Sequence, residues 1–237
     1  MIHNKRPVYL LAGGRSRIRK VPDPLIQAVF RESGTLSPTI AYVGTANDDD
    51  EGFFKHIAEY LRENGARRVN HALISPAKMD LKKAQDVLKS ADIVFISGGD
   101  VERGIEVLNE KNMTHFLSEL YKQGKPFFGL SAGSIMLARE WVRWRDPNDD
   151  STAELFPCLG LAGVICDTHD EQDGWQELQT VLKLGKKNVT GYGIPAGTAI
   201  KVSPDGKVEA LGGAVCQYVL HGAGVDRSPD ILPVNNA

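Results

Sequence analysis

Cysteine is scarce, and its scarcity removes two classes of architecture. Only Cys158, Cys166 and Cys216 are present, widely spaced and without a C-x-x-C pair. Such a set fits neither a disulfide framework nor a structural zinc site, and reads as thiols in a reducing cytoplasm. Long apolar runs are lacking as well. No stretch approaches the ~18 residues of a spanning helix, and the short run at 8–12 is too brief for a signal h-region. Charge of one sign is also lacking. The chain carries 28 basic and 30 acidic residues for a net charge of -2, which gives no electrostatic case for nucleic acid. No internal repeat, low-complexity tract or linker is visible. The expectation is a single soluble cytoplasmic domain over 1–237, with no membrane or nucleic-acid partner.

What is present is an alternation. "VYLLAGG", "TIAYVGTA", "VNHALI", "DIVFISGGD" and "PFFGLSAG" are short apolar runs that read as buried strands. Between them lie helix-like segments. In "DDEGFFKHIAEYLRENGA", Phe53, Ile57, Tyr60 and Leu61 fall on one stripe and Gly65 is a stop signal. "RGIEVLNEKN" and "MTHFLSELYKQG" read as one broken helix or two short ones. Strands alternating with such helices imply βαβ units: an α/β, doubly wound, mostly parallel sheet with helices on both faces. Beyond residue 140 the pattern changes. "EWVRWRDPNDDSTAELFPCLG" reads as a surface excursion rather than a sheet element. The runs flanking "SPDG" read as a small C-terminal β-hairpin extension.

In an open α/β sheet, ligands bind beyond the carboxyl ends of the strands. Two strands end there in glycine-bearing turns, "ISGGD" and "GLSAGS". The second fits G-x-S-x-G, which places a serine on a tight strand-to-helix turn with its oxygen projecting outward. Ser131 is then a candidate nucleophile, or else only a helix cap. A serine nucleophile needs a base, an orienting acid and donors for the oxyanion. Of six histidines, His169 follows the apolar run "LAGVIC" and is surrounded by acids, which suits proton transfer. Candidate acids are Asp146, Asp167 and Asp100. Gly98 and Gly99 of "SGGD", with the Ala132 N–H, are candidate oxyanion donors. "GGDVERG" matches no dinucleotide or phosphate-loop pattern, and no metal or organic cofactor is called for.

"ISGGD", "GLSAGS", "LFP…D-T-H" and "GIPAGTAI", in that order, resemble the aspartyl dipeptidase (peptidase E) and cyanophycinase family of serine peptidases, which share the class I glutamine amidotransferase-like fold. The resemblance implies Ser131 as nucleophile, His169 as base, and Gly99 with Ala132 as oxyanion hole. Gly98, Asp100 and Asp167 would lie at the substrate. Asp146 sits at the dipeptidase-branch spacing for the third acid, whereas Ala196 stands where the cyanophycinase branch has a glutamate. Two further departures are Asp170, where an aromatic residue is usual, and Val101 after "GGD". The implied function is cleavage of small aspartyl-containing peptides. An acidic substrate would call for an arginine, with Arg15, Arg17, Arg103, Arg143 and Arg145 as candidates. Rival readings are an α/β-hydrolase-type esterase and a non-catalytic amide-binding or sensor relative. A homodimer is compatible with the family.

Overall fold

A computed structural model describes residues 5–13, 22–185, 189–222 and 224–233. The first five strands are β1 (Val8–Leu11), β2 (Thr39–Val43), β3 (Arg68–His71), β4 (Ile93–Ile96) and β5 (Phe127–Leu130). They pair in parallel in the order β1-β5-β4-β2-β3. The intervening helices are α1 (Pro24–Glu32), α2 (Glu51–Glu63), α3 (Leu81–Ser90), α4 (Val101–Glu110) and α5 (Met113–Lys122). The segment 101–122 is thus two helices, divided at Asn112, which takes φ 54°.

Period-two alternation between two covered faces explains why β1, β2, β4 and β5 are almost wholly apolar, whereas the edge strand β3 keeps Arg68 exposed. Val8, Leu10, Ala41, Val43, Val94, Ile96 and Phe127 enter one core, with side chains from α3, α4 and α5. Their neighbours Tyr9, Leu11, Ile40, Tyr42, Ile93, Phe95 and Phe128 enter the other, against α1 and α2. A sheet covered on both faces has no side left for polar residues. Helix ends are set locally: the carboxylates of Asp23, Asp50, Asp80 and Asp100 each accept a first-turn N–H, capping α1, α2, α3 and α4. No helix among the described residues is long and apolar enough to cross a membrane.

The remaining chain departs from expectation in two places. After α6 (Ala132–Leu137), the segment expected to wander over the surface forms a two-stranded antiparallel ribbon, β6 (Glu140–Trp144) with β7 (Ala153–Pro157). Its polar tip obscured this. The strands themselves bury Trp141, Val142 and Phe156. The second departure is a separate four-stranded sheet in the order β13-β12-β9-β8. It comprises β8 (Ile165–Thr168), β9 (Thr190–Ile194), β12 (Val215–His221) and β13 (Gly224–Ile231), with α7 (Gln176–Leu184) packed on it. The "LAGVIC" strand therefore belongs to this second sheet, not to the central one. The "SPDG" hairpin, β10 (Ala199–Val202) and β11 (Val208–Leu211), does extend the central sheet, antiparallel to β1.

Candidate active site

The parallel pairing of β4 with β5 aligns Ile96 with Gly129, so the turns after both strands emerge side by side. Ser131 occupies the link between β5 and α6 at φ 54° and ψ −126°. A non-glycine residue in this region costs about 1–3 kcal/mol and persists only when its surroundings impose it. Here they do. The Ser131 N–H donates to Leu11 O (2.9 Å), and its carbonyl accepts from Ser134 N–H (2.8 Å). Ser134 Oγ, fully buried, also donates to Leu11 O (2.8 Å).

The motif glycines are needed for close approach. A Cβ on Gly129 would lie 2.5 Å from the Gly133 carbonyl, and one on Gly133 would lie 2.1 Å from Ile96 O. Any side chain at either place would push α6 off the strand ends.

The "SGGD" turn lies against the serine. A Cβ on Gly98 would sit 3.3 Å from Ser131 Cβ. Gly99 takes φ 144°, and a Cβ there would fall 2.0 Å from Ala46 O. Among the described residues, no group accepts the Gly98 or Gly99 N–H, whereas the flanking Ser97 and Asp100 amides donate to Val43 O and Ala46 O. Ala132, first residue of α6, has an N–H with no partner inside the helix. Asp100 is held as the cap of α4, its Oδ1 accepting from Arg103 N–H at 2.8 Å.

One residue behind this turn escaped the sequence reading. Asn47 Nδ2 donates to Gly98 O (2.8 Å) and lies 3.2 Å from Ser97 Oγ and 3.3 Å from Tyr42 OH. It clamps the turn from outside. Nearby, buried Asp49 meets His71 Nε2 at 3.0 Å and accepts from Ile74 and Ser75 N–H. Burial alone would raise the Asp49 pKa. The His71 and backbone hydrogen bonds outweigh it, so the carboxyl lies below the ordinary range. The only sequence signal was the polar run "TANDDD" straight after a buried strand.

His169 follows β8. Its N–H donates to Ile194 O (2.9 Å), its φ is 49°, and its Nε2 lies 2.7 Å from Ser131 Oγ. The alcohol and imidazole, far apart in the chain, are thus in hydrogen-bonding contact. Asp146 is not brought to them. It follows β6 in the ribbon tip, where its Oδ1 accepts from Asn148 N–H (2.9 Å) and its own N–H donates to Thr152 Oγ1 (3.1 Å). The Asx turn at "DPN" keeps that carboxylate within its own loop. Among the described residues, no carboxylate is hydrogen-bonded to His169. Glu171 Oε1 instead accepts from Ala196 N–H (2.6 Å), so a carboxylate from another loop reaches the turn where Ala196 stands.

Asp167 lines the same cavity and is 3 % exposed. Its Oδ1 accepts from Thr168 N–H (2.6 Å), while Oδ2 is buried with no hydrogen-bond partner. Burial in this setting pushes its pKa up to about 8, and Asp170 adds to the rise. Asp170, half-buried, is raised by desolvation and then by Asp173, and its Oδ2 is also unpartnered. Of the arginines proposed for an acidic substrate, Arg15 and Arg17 lie outside the described residues. Arg103 is paired with Asp48 (2.8 Å) and Arg145 with Glu154. Among the described arginines only Arg143 lines the cavity, and it is bound to Glu154 (2.7 Å) and Glu102 (3.3 Å) over the Phe156 ring.

The family model for peptidase family S51 matches residues 9–210. The chain belongs to peptidase family S51. Among its curated relatives is an uncharacterized peptidase, YgaJ, of Bacillus subtilis (strain 168), 24% identical over 196 residues and 81% of each chain. A peptidase E of Pasteurella multocida (strain Pm70) is 24% identical over 170 residues, or 69% of each chain. A crystal structure of a peptidase from an acI-B1 Actinobacterium superposes with a TM-score of 0.72 at 15% identity, covering 98% of both chains. A putative peptidase E from Listeria monocytogenes EGD-e gives 0.64 at 17% identity, covering 87% of this chain and 98% of that one. The mostly parallel sheet flanked by helices is thus a fold shared with S51 peptidases.

Proposed function

We propose that this S51 protein is a serine-type amide hydrolase acting on small peptides. The observation that carries the reading is the 2.7 Å contact between Ser131 Oγ and His169 Nε2 on a strained strand-to-helix turn. Ser131 Oγ attacks the scissile carbonyl carbon as His169 Nε2 takes its proton. The oxyanion forms between the Gly99 and Ala132 N–H groups, where one such donor is worth about 10²–10³ in rate. His169 then hands its proton to the departing amine, and a water molecule, deprotonated by the same ring, releases the acyl group.

Asp146 fits the family spacing for the third acid but would have to leave its Asx turn to reach His169. Glu171 is the acid whose carboxylate enters the Ala196 turn. The aspartyl preference implied by the family resemblance lacks a free arginine among the described residues of the cavity. The test is reaction with a fluorophosphonate probe, which should label the native protein at Ser131 and leave Ser131→Ala unlabelled. Slow hydrolysis of every amide tested together with no labelling would favour the second reading, a non-catalytic relative. That no carboxylate among the described residues is hydrogen-bonded to His169 is the observation behind that alternative. The esterase of α/β-hydrolase type is set aside by the family match.

A further inference from the structure

We propose that Asp49 and His71, a buried pair outside the cavity, are positioning residues that aim the Gly99 N–H, and that they act through Asn47. The inference rests on the serine-hydrolase reading, in which that N–H is an oxyanion donor.

The Gly98 carbonyl and the Gly99 N–H belong to one planar trans peptide, so they point in opposite directions. Whatever holds the carbonyl therefore aims the N–H. With glycine on both sides, that peptide meets little steric resistance to rotation. Asn47 Nδ2 holds the carbonyl at 2.8 Å. The same amide lies 3.2 Å from Ser97 Oγ and 3.3 Å from Tyr42 OH, which fixes it in turn. One residue earlier, Ala46 O accepts from Asp100 N–H at 2.7 Å. Both grips on the turn come from the loop between β2 and α2. Asn47, Asp49 and His71 do not line the cavity.

That loop needs outside support. Asp48 and Asp49 take φ 53° and 59°, two consecutive non-glycine residues in the left-handed region. Such a pair persists only where its surroundings impose it. The Asp49 carboxylate imposes it here, with its side chain fully buried. Oδ1 accepts from Gly44 N–H (3.1 Å) and His71 Nε2 (3.0 Å). Oδ2 accepts from Ile74 N–H (2.8 Å) and Ser75 N–H (2.7 Å). Three of these four donors are backbone groups, so His71 is the one that substitution can remove. Its ring stacks on Phe54, with centroids 4.3 Å apart, and meets Tyr42 edge-on at 5.0 Å. Tyr42 thus touches His71 with its ring and donates to Ser97 Oγ, beside the turn, with its hydroxyl (2.9 Å). A Cβ on Gly44 would lie 2.8 Å from Asp49 Oδ1, so glycine there leaves room for the carboxylate.

His71→Phe keeps a ring against Phe54 and Tyr42 and deletes the donor. With one amide substrate, kcat should fall about 10-fold while KM moves less than about threefold, because a misaimed donor is felt in the transition state. His71→Gln, whose amide nitrogen can donate to the same carboxylate, should recover most of the loss. A double-mutant cycle with Asn47→Ala tests the route. Adding His71→Phe to Asn47→Ala should cost less than about threefold, whereas independent effects would multiply to about 100-fold. Asp49→Asn should lose at least as much as His71→Phe, and either variant carries the test if the other fails to fold. A loss that His71→Gln does not recover, or losses that multiply in the cycle, overturns the proposal. Fluorophosphonate labelling of the native protein, run in parallel, tests the hydrolase reading separately. Labelling at Ser131 with kcat unmoved in His71→Phe overturns the positioning role alone. No labelling of the native protein overturns the hydrolase reading on which it rests.

Discussion

At the scale of single residues, the site depends on one contact and one unpaired carboxyl. His169→Ala should lower kcat by about 10³-fold or more, since the proton acceptor for Ser131 is lost, and single-turnover acylation would show it. Asp146→Asn should leave kcat/KM within about threefold, because that carboxylate is engaged by Asn148 within the ribbon tip. A loss of ~10³-fold or more on steady-state assay would mean that the tip folds over His169 during turnover. Asp167 makes a separate claim on stability. Its folded pKa of about 8 lies above its unfolded value, so the folded chain binds more protons between roughly pH 4 and pH 8. Stability must then fall as pH rises through that window. Asp167→Asn lacks this term. Its melting temperature should gain on that of the native protein from pH 4 to 8 and run parallel above that. Parallel curves throughout would show that Asp167 is solvated or paired.

At the scale of elements, the "SGGD" turn and the elbow act as one unit. Asn47 grips the turn through Gly98 O without lining the cavity. Asn47→Ala should therefore reduce kcat by about 10-fold or more while KM moves little, because the displaced donor matters chiefly in the transition state. Steady-state kinetics with one amide substrate would show it. Gly99→Ala should cost more, since the new Cβ would strike Ala46 O. Both motif turns were legible in the sequence because glycine at strand ends has a steric meaning that needs no context. The clamp was not. An asparagine in a polar run carries no mark of the carbonyl it will meet, and that contact depends on β2 lying beside β4. The same reason hid β6 and β7, whose polar tip dominated a short alternation, and the second sheet, in which β8 pairs with β9 across α7 and β9 with β12 across the β10–β11 hairpin.

At the scale of the whole molecule, the alternation of strand and helix fixed the parallel sheet and its two cores, and hence the edge at which a ligand would bind. Ser131 and His169 were both identifiable, each from a strand running into a turn. Their convergence was not, because β8 joins another sheet and meets the central one only across α6, which packs on β8, β5 and β1. The acid behind His169 was illegible for a related reason. Spacing along the chain favoured Asp146, but the ribbon carries it away, while Glu171 arrives at Ala196 from the loop after β8.

The central claim is that Ser131 is an alcohol activated by His169. The most direct measurement is the rate of fluorophosphonate adduct formation, with the modified residue located by mass spectrometry of the digested protein. The account expects a single adduct on Ser131, absent in Ser131→Ala and formed at least ~10³-fold more slowly in His169→Ala. An adduct elsewhere, or an equal rate in His169→Ala, would contradict it.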